Sequence, residues 1–170
     1  PSSLARHLFF DQCVHSMDNP PSVALTIAGS DSGGGGGIQA DLKTFHSFGV
    51  FGCSALTAVT AQNTIGVIAV HPVPEEMVSS QIRAVATDLP PDAVKTGMLA
   101  TTALVETVAD AIRDHGLQNY VLDPVMVSTS GYRLLADDSV DVMRRKLLPL
   151  AAVVTPNLHE AQILSGRSIT

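Results

Sequence analysis

From Ser22 onward, short uncharged apolar runs alternate with stretches whose apolar residues recur every three or four positions. The first run, Val23–Ala28, contains β-branched residues and predicts a buried strand. A turn-rich stretch comes next, then a predicted helix over Ile38–Phe48 with Ile38, Leu42 and Phe45 on one face. Ser54–Thr60 predicts a strand and Val67–Val70 a shorter one. The next helix runs from about Pro74 to Asp88, with Met77, Val78, Ile82 and Val85 turned inward. Further strands fall at Ala93–Lys95, Tyr120–Leu122 and Ala152–Val154, and further helices at Thr101–His115, Asp137–Leu148 and Asn157–Leu164. Such alternation needs right-handed crossovers and builds a mostly parallel sheet covered on both faces. The predicted fold class is α/β.

In an open parallel sheet, ligands bind beyond the carboxyl ends of the strands. Here those ends carry Gly29–Asp31, Ala61–Asn63, Thr96–Met98, Asp123–Met126 and Thr155–Asn157. Asp, Asn, Gly and Pro populate turns for local reasons, but five such ends arriving at one rim predict a functional one. Five consecutive glycines, Gly33–Gly37, stand directly before the first helix. They do not form a phosphate loop of the Walker type, because Ile38 and Gln39 come after them instead of Lys and Ser or Thr. Nor do they supply the glycine spacing of a dinucleotide-binding turn. What remains is a loop whose missing side chains let a ligand lie against backbone, opening a helix whose free N–H groups favour negative charge. A merely flexible connection is the competing reading.

Composition narrows the partners. A chain of 170 residues with 45% hydrophobic content fits one domain with a sizeable core. Its net charge of −6 and its longest basic cluster, Arg144–Lys146, argue against nucleic acid as a main partner. No apolar run approaches the roughly 20 residues that a membrane span needs, so a membrane partner is not expected. Cys13 and Cys53 lack metal spacing, the six histidines show no paired spacing, and a cytoplasmic setting is the default expectation. Residues 1–21 are unlike the rest of the chain and read as a leader or upstream extension, with disorder as one reading. No signal peptide is expected there, because Asp11 and Gln12 interrupt the apolar stretch.

Five stretches together carry a family resemblance: ALTIAGSDSGGGGGIQADLKTF over Ala24–Phe45, TAVTAQNT over Thr57–Thr64, KTGML over Lys95–Leu99, VLDPVMV over Val121–Val127 with Ser130 and Gly131, and VTPNLHEA over Val154–Ala161. In this order they resemble the hydroxymethylpyrimidine and phosphomethylpyrimidine kinases of the ribokinase superfamily. The resemblance implies a ribokinase-like fold and phosphoryl transfer from ATP, with Mg²⁺, to an aminopyrimidine hydroxymethyl and then to its monophosphate, a route to thiamine. It also implies a homodimer. Gly29, Asp41, Gln62 and Val125 match residues that surround the aminopyrimidine, with Met98 as an apolar wall. Asp123 and Glu160 match acidic positions near Mg²⁺ and the ATP phosphates, and Asn157 a position facing those phosphates.

The residue types suit these roles, since amides and carboxylates bond ring nitrogens and amino groups while Val and Met cover a ring face. Bland readings stand beside them. Asp41 also suits a solvated acid near a helix start, and Asn157 with Glu160 has the spacing of a capping box. Lys95 fits a phosphate ligand, an ion pair or a solvent-facing stem. Pyridoxal or pyridoxine kinase activity of the same superfamily is the alternative within enzymes, and a non-catalytic pyrimidine-binding remnant the alternative outside them.

Two departures from the family pattern matter. Gly36 stands where Ala is usual, and the family's Gly-Thr-Gly-Cys-like turn, with its anion hole and catalytic-base position, is expected beyond Thr170. Residues 22–170 therefore read as the N-terminal part of a kinase domain, with an exposed sheet edge. The 170-residue chain alone is expected to be a poor kinase or none. An assay of ATP-dependent hydroxymethylpyrimidine phosphorylation checks this, and turnover at an ordinary kinase rate of about 1–100 per second contradicts it.

Overall fold

The computed structural model describes residues 21–127 and 137–169, with Asp137 described by its backbone alone. Residues 1–20 of the expected 1–21 leader, Cys13 among them, the Ser130-Gly131 motif and Thr170 lie outside the described residues. The elements are β1 (Val23–Ala28), α1 (Gly37–Ser47), β2 (Phe51–Leu56), β3 (Ala58–Gln62), β4 (Val67–Pro72), α2 (Glu75–Asp88), β5 (Ala93–Thr96), α3 (Thr102–Asp114), β6 (Tyr120–Leu122), α4 (Asp137–Lys146), a short 3₁₀ turn (Leu148–Leu150), β7 (Val153–Val154) and α5 (Leu158–Ser165). Five strands form one parallel sheet in the order β2-β1-β5-β6-β7, and β3 and β4 form a separate antiparallel pair. The α/β class and the mostly parallel sheet are as the sequence predicts.

The sheet has two unlike faces, and strand alternation creates them. In β1, Val23, Leu25 and Ile27 join the hydrophobic core, together with Cys53 and Ala55 of β2, Val94 of β5 and Tyr120 and Leu122 of β6. Three helices close this face, because α2 packs on α3 and α3 on α4. They contribute Val78 and Ile82, then Leu104, Val105, Val108 and Ile112, then Val142 and Met143. The opposite face presents small or polar residues, among them Ala24, Thr26, Ala28, Gly52 and Ser54. Here α1 lies close to the sheet: a Cβ on Gly52 would stand 2.7 Å from Leu42 Cδ2 and 3.1 Å from Phe45 Cδ2. Right-handed crossovers account for the split, since β1 to β2 moves one way along the sheet and every later connection the other.

Three expectations are corrected. Ser54–Thr60 is not one strand. At Thr57 the chain leaves the parallel sheet: its hydroxyl donates to Met98 O at 2.7 Å, its N–H to Ala28 O at 3.0 Å, and its carbonyl accepts from Val73 N at 2.9 Å. This buried hub redirects the chain into β3, and alternation alone cannot reveal it because both strands keep the same period. Met77 is 54% exposed rather than inward. The buried stripe of α2 runs through Val78 and Ile82, and Met77 sits one residue, roughly 100°, off that line. Finally, α4 stops at Lys146 rather than Leu148, followed by the turn containing Pro149, which cannot continue an α-helix.

β7 is one of the two outer strands of the sheet, and Val153 on it is exposed, as is Leu158 just beyond it. Among the described residues no helix is long and apolar enough to cross a membrane. Leu104 on α3 is fully buried between the sheet and the neighbouring helices. Leu104→Ala is expected to cost about 2–5 kcal/mol, read as a lowered urea unfolding midpoint with an unchanged slope.

Candidate functional site

Setting aside the β3–β4 pair, the sheet order reverses between β1 and β5. Such a switch point opens a crevice at the carboxyl ends of the strands. A cavity of about 370 Å³ lies there on the α1 side, within the ordinary size range of small-molecule sites. Six of the residues expected at a site line it: Gly29, Asp41, Gln62, Met98, Asp123 and Val125. Lys95, Gly36, Gly37, Ala40 and Val127 complete much of the remaining wall. Asn157 and Glu160 are not part of that wall.

The glycine loop has an occupant from its own chain. The Asp31 carboxylate accepts hydrogen bonds from the backbone N–H groups of Gly33 at 2.8 Å, Gly35 at 3.0 Å and Gly36 at 2.7 Å. Asp31 is buried, and its own N–H donates to Gln39 Oε1 at 2.8 Å. This corrects the expectation that these amides await an external anion, because the charge they favour is already supplied internally. Gly36 and Gly37 still border the cavity. The glycines are needed for geometry: Gly34 and Gly37 have φ of +75° and +54°, and a Cβ on Gly37 would collide with the Gly29 carbonyl. That carbonyl accepts from Ile38 N at 3.0 Å, closing the loop on the first turn of α1.

Two serines stitch this loop to β3. Ser30 Oγ accepts from Thr60 N at 2.9 Å while Thr60 Oγ1 donates to Ser30 O at 2.8 Å. Ser32 repeats the pattern with Gln62, accepting from its N–H at 2.7 Å and donating to its carbonyl at 2.6 Å. The backbone of Gln62 is thereby fixed while its side chain borders the cavity. Met98 lies directly against Gly29, where any Cβ would collide with its terminal methyl group. Asn63, by contrast, has a local role: its Oδ1 accepts from Ile65 N and Gly66 N in the β3–β4 turn.

Lys95 is an ion pair, not an exposed stem. Its Nζ lies 3.0 and 3.2 Å from the two carboxylate oxygens of Asp41 and 3.0 Å from Asp123 Oδ2. Thr26 Oγ1 also donates to Asp41 Oδ2 at 2.6 Å, so the bland reading of Asp41 as a solvated acid does not hold. Burial disfavours the Lys95 ammonium, yet Asp123 and Asp41 outweigh that effect and hold its pKa above the ordinary 10.5. A raised lysine value stabilises the fold in full below its unfolded value, and that contribution fades only as pH climbs through the folded one.

Asn157 and Glu160 form a complete capping box on α5. Asn157 Oδ1 accepts from Glu160 N at 2.9 Å, and Glu160 Oε2 accepts from Asn157 N at 2.9 Å. Glu160 Oε1 also receives a long contact of 3.4 Å from Met126 N. The buried Glu160 thus ties the loop after β6 to the start of α5. The structural role foreseen for this pair is present. Sequence reasoning had no role for Asp31 beyond a rim position. The signal was there, however, as an Asx residue followed by glycines at the second, fourth and fifth places.

A family model described as phosphomethylpyrimidine kinase matches residues 31–170. The chain belongs to the phosphomethylpyrimidine kinase family. It is 54% identical over 147 residues to the hydroxymethylpyrimidine/phosphomethylpyrimidine kinase of Bacillus subtilis, covering 86% of this chain and 54% of that protein. Identity to the corresponding Rhizobium meliloti kinase is 55% over 148 residues, covering 87% and 55%. The chain thus spans about half the length of the curated relatives it matches. Among solved structures, the phosphomethylpyrimidine kinase of Clostridium difficile superposes with a TM-score of 0.82 at 45% identity, covering 87% of this chain and 64% of that one. A pyridoxal kinase from Staphylococcus aureus in complex with pyridoxal gives 0.80 at 37% identity, covering 89% and 56%.

The buried Asp31 cluster yields a stability prediction. Asp31→Asn keeps the size but turns one acceptor into a donor facing backbone N–H groups. The expected loss is about 1.5–3 kcal/mol, measured by urea denaturation at neutral pH.

Proposed function

We propose that this chain is the pyrimidine-binding part of an ATP-dependent kinase that phosphorylates 4-amino-5-hydroxymethyl-2-methylpyrimidine and its monophosphate on the way to thiamine. The observation that supports this most is the convergence of Gly29, Asp41, Gln62, Met98 and Val125 on one cavity from five separate segments. Asp41 accepts a hydrogen bond from the exocyclic amino group, Gln62 bonds a ring nitrogen, and Met98 and Val125 cover the ring. Gly29, having no side chain, lets Met98 lie against the backbone at the cavity wall. Residues 22–170 in this reading are the N-terminal part of one kinase domain, and we carry with it the family's expectation of a cytoplasmic homodimer.

Asp123 serves the nucleotide side of the site. Oxygen donors are what Mg²⁺ prefers, but both candidate acids are engaged: Asp123 by Lys95, and Glu160 by backbone N–H groups. Among the described residues no group of three or more His, Cys, Asp or Glu side chains could hold a metal ion. The residues therefore fit an ion carried by the ATP phosphates and reached by Asp123 and Glu160 through water, not one caged by protein. When bound, Mg²⁺ neutralises phosphate charge during transfer. Asn157, with Oδ1 engaged in the cap, offers its amide nitrogen to the nucleotide phosphates.

A second reading, a pyridoxal kinase, is favoured by one observation: the close superposition on the pyridoxal-bound Staphylococcus aureus enzyme. Isothermal titration of the purified chain separates the two. The expected result is tighter binding of the hydroxymethyl aminopyrimidine than of pyridoxal, by about tenfold or more. The reverse order transfers the site to the second reading, and a folded chain that binds neither ligand overturns both.

A further inference from the structure

Lys95 lies in the interior of β5, a strand position where a charged side chain needs a reason. It emerges on the small-residue face, beside Gly97, where an added Cβ would stand 3.6 Å from Lys95 Nζ. There its ammonium bridges two carboxylates from different parts of the chain, Asp41 on α1 and Asp123 after β6. The side chains of Lys95, Asp41 and Asp123 are 24%, 14% and 28% exposed, sheltered enough for their charges to be felt. The group carries one positive and two negative charges in a single small cavity. Without the ammonium, the two acids would repel each other at the ligand's edge.

The contacts also determine how many hydrogen bonds Asp41 can still accept. A carboxylate has about four lone-pair sites. Two contacts from Lys95 and one from Thr26 occupy three of them, leaving a single acceptor site on Oδ1. One acceptor with a fixed direction matches one N–H of an exocyclic amino group. We infer that Lys95 is a positioning residue: it holds Asp41 as a single, oriented acceptor for the aminopyrimidine amino group and ties that subsite to Asp123 on the nucleotide side. This rests on the pyrimidine reading of the cavity. Lys95 itself touches neither the ring nor the reacting hydroxyl in this scheme. Its effect passes through Asp41.

The test is a double-mutant cycle in ligand binding. Titrate 4-amino-5-hydroxymethyl-2-methylpyrimidine into the chain, Lys95→Met, Asp41→Asn and the double variant, with circular dichroism melting to confirm folding. Lys95→Met is expected to weaken binding about tenfold or more in the parent, but less than about twofold once Asp41 is Asn. Unchanged binding in Lys95→Met, or the same loss in both backgrounds, overturns the inference. If Lys95→Met does not fold, Lys95→Arg takes its place in the cycle, because it keeps the charge while changing the donor geometry. Its expected loss of about threefold must likewise vanish in the Asn background. A folded parent chain that binds no pyrimidine is a different result, since it removes the pyrimidine reading itself.

Discussion

The site depends on a buried carboxylate held by backbone. Asp31 places a negative charge where Gly33, Gly35 and Gly36 direct their N–H groups, and this gives an otherwise featureless glycine run one defined shape. Five glycines carry a large conformational entropy in the unfolded chain, so ordering them needs strong local bonds. Charge-assisted hydrogen bonds are of that kind. Once the loop is set, Ile38 bonds Gly29, α1 starts in a fixed place, and Asp41 arrives one turn later over Thr26. The two serines carry the same order outward to β3 and Gln62.

Much of this was legible in the sequence, and what was not has physical causes. Period and turn chemistry located β1, α1, α2, β5, α3 and β6 to within a residue or two, because each combines a clear apolar repeat with a distinct stop. The six cavity-lining residues were legible through strand ends and family resemblance. The break at Thr57 was not, because it comes from long-range bonds to Ala28, Val73 and Met98, which no local pattern encodes. Asp31 was missed for a related reason. An aspartate before glycines suggests either an open anion site or a filled one, and only the folded loop shows that the carboxylate turns back on its own chain. Lys95 likewise had three open readings until Asp41 and Asp123 were placed on either side of it.

The two acids proposed for the nucleotide side differ in kind. Asp123 is held by a side chain, the Lys95 ammonium, which it shares with Asp41. Glu160 is held by backbone at a helix start, and moving it would uncap α5. The first contact is an ion pair across the cavity, whereas the second keeps the loop after β6 in place. Two acids of similar type thus sit at different depths, Glu160 buried and Asp123 part-exposed, and are held in different ways.

Gly52 has a wider meaning. It lies outside the cavity wall, yet the absence of its side chain lets α1 rest close on the sheet through Leu42 and Phe45. Any larger residue there would press on Leu42 and Phe45, so those side chains or α1 itself must give way. The spacing between helix and sheet is thus held from underneath, at a position that inspection of the cavity wall alone would pass over.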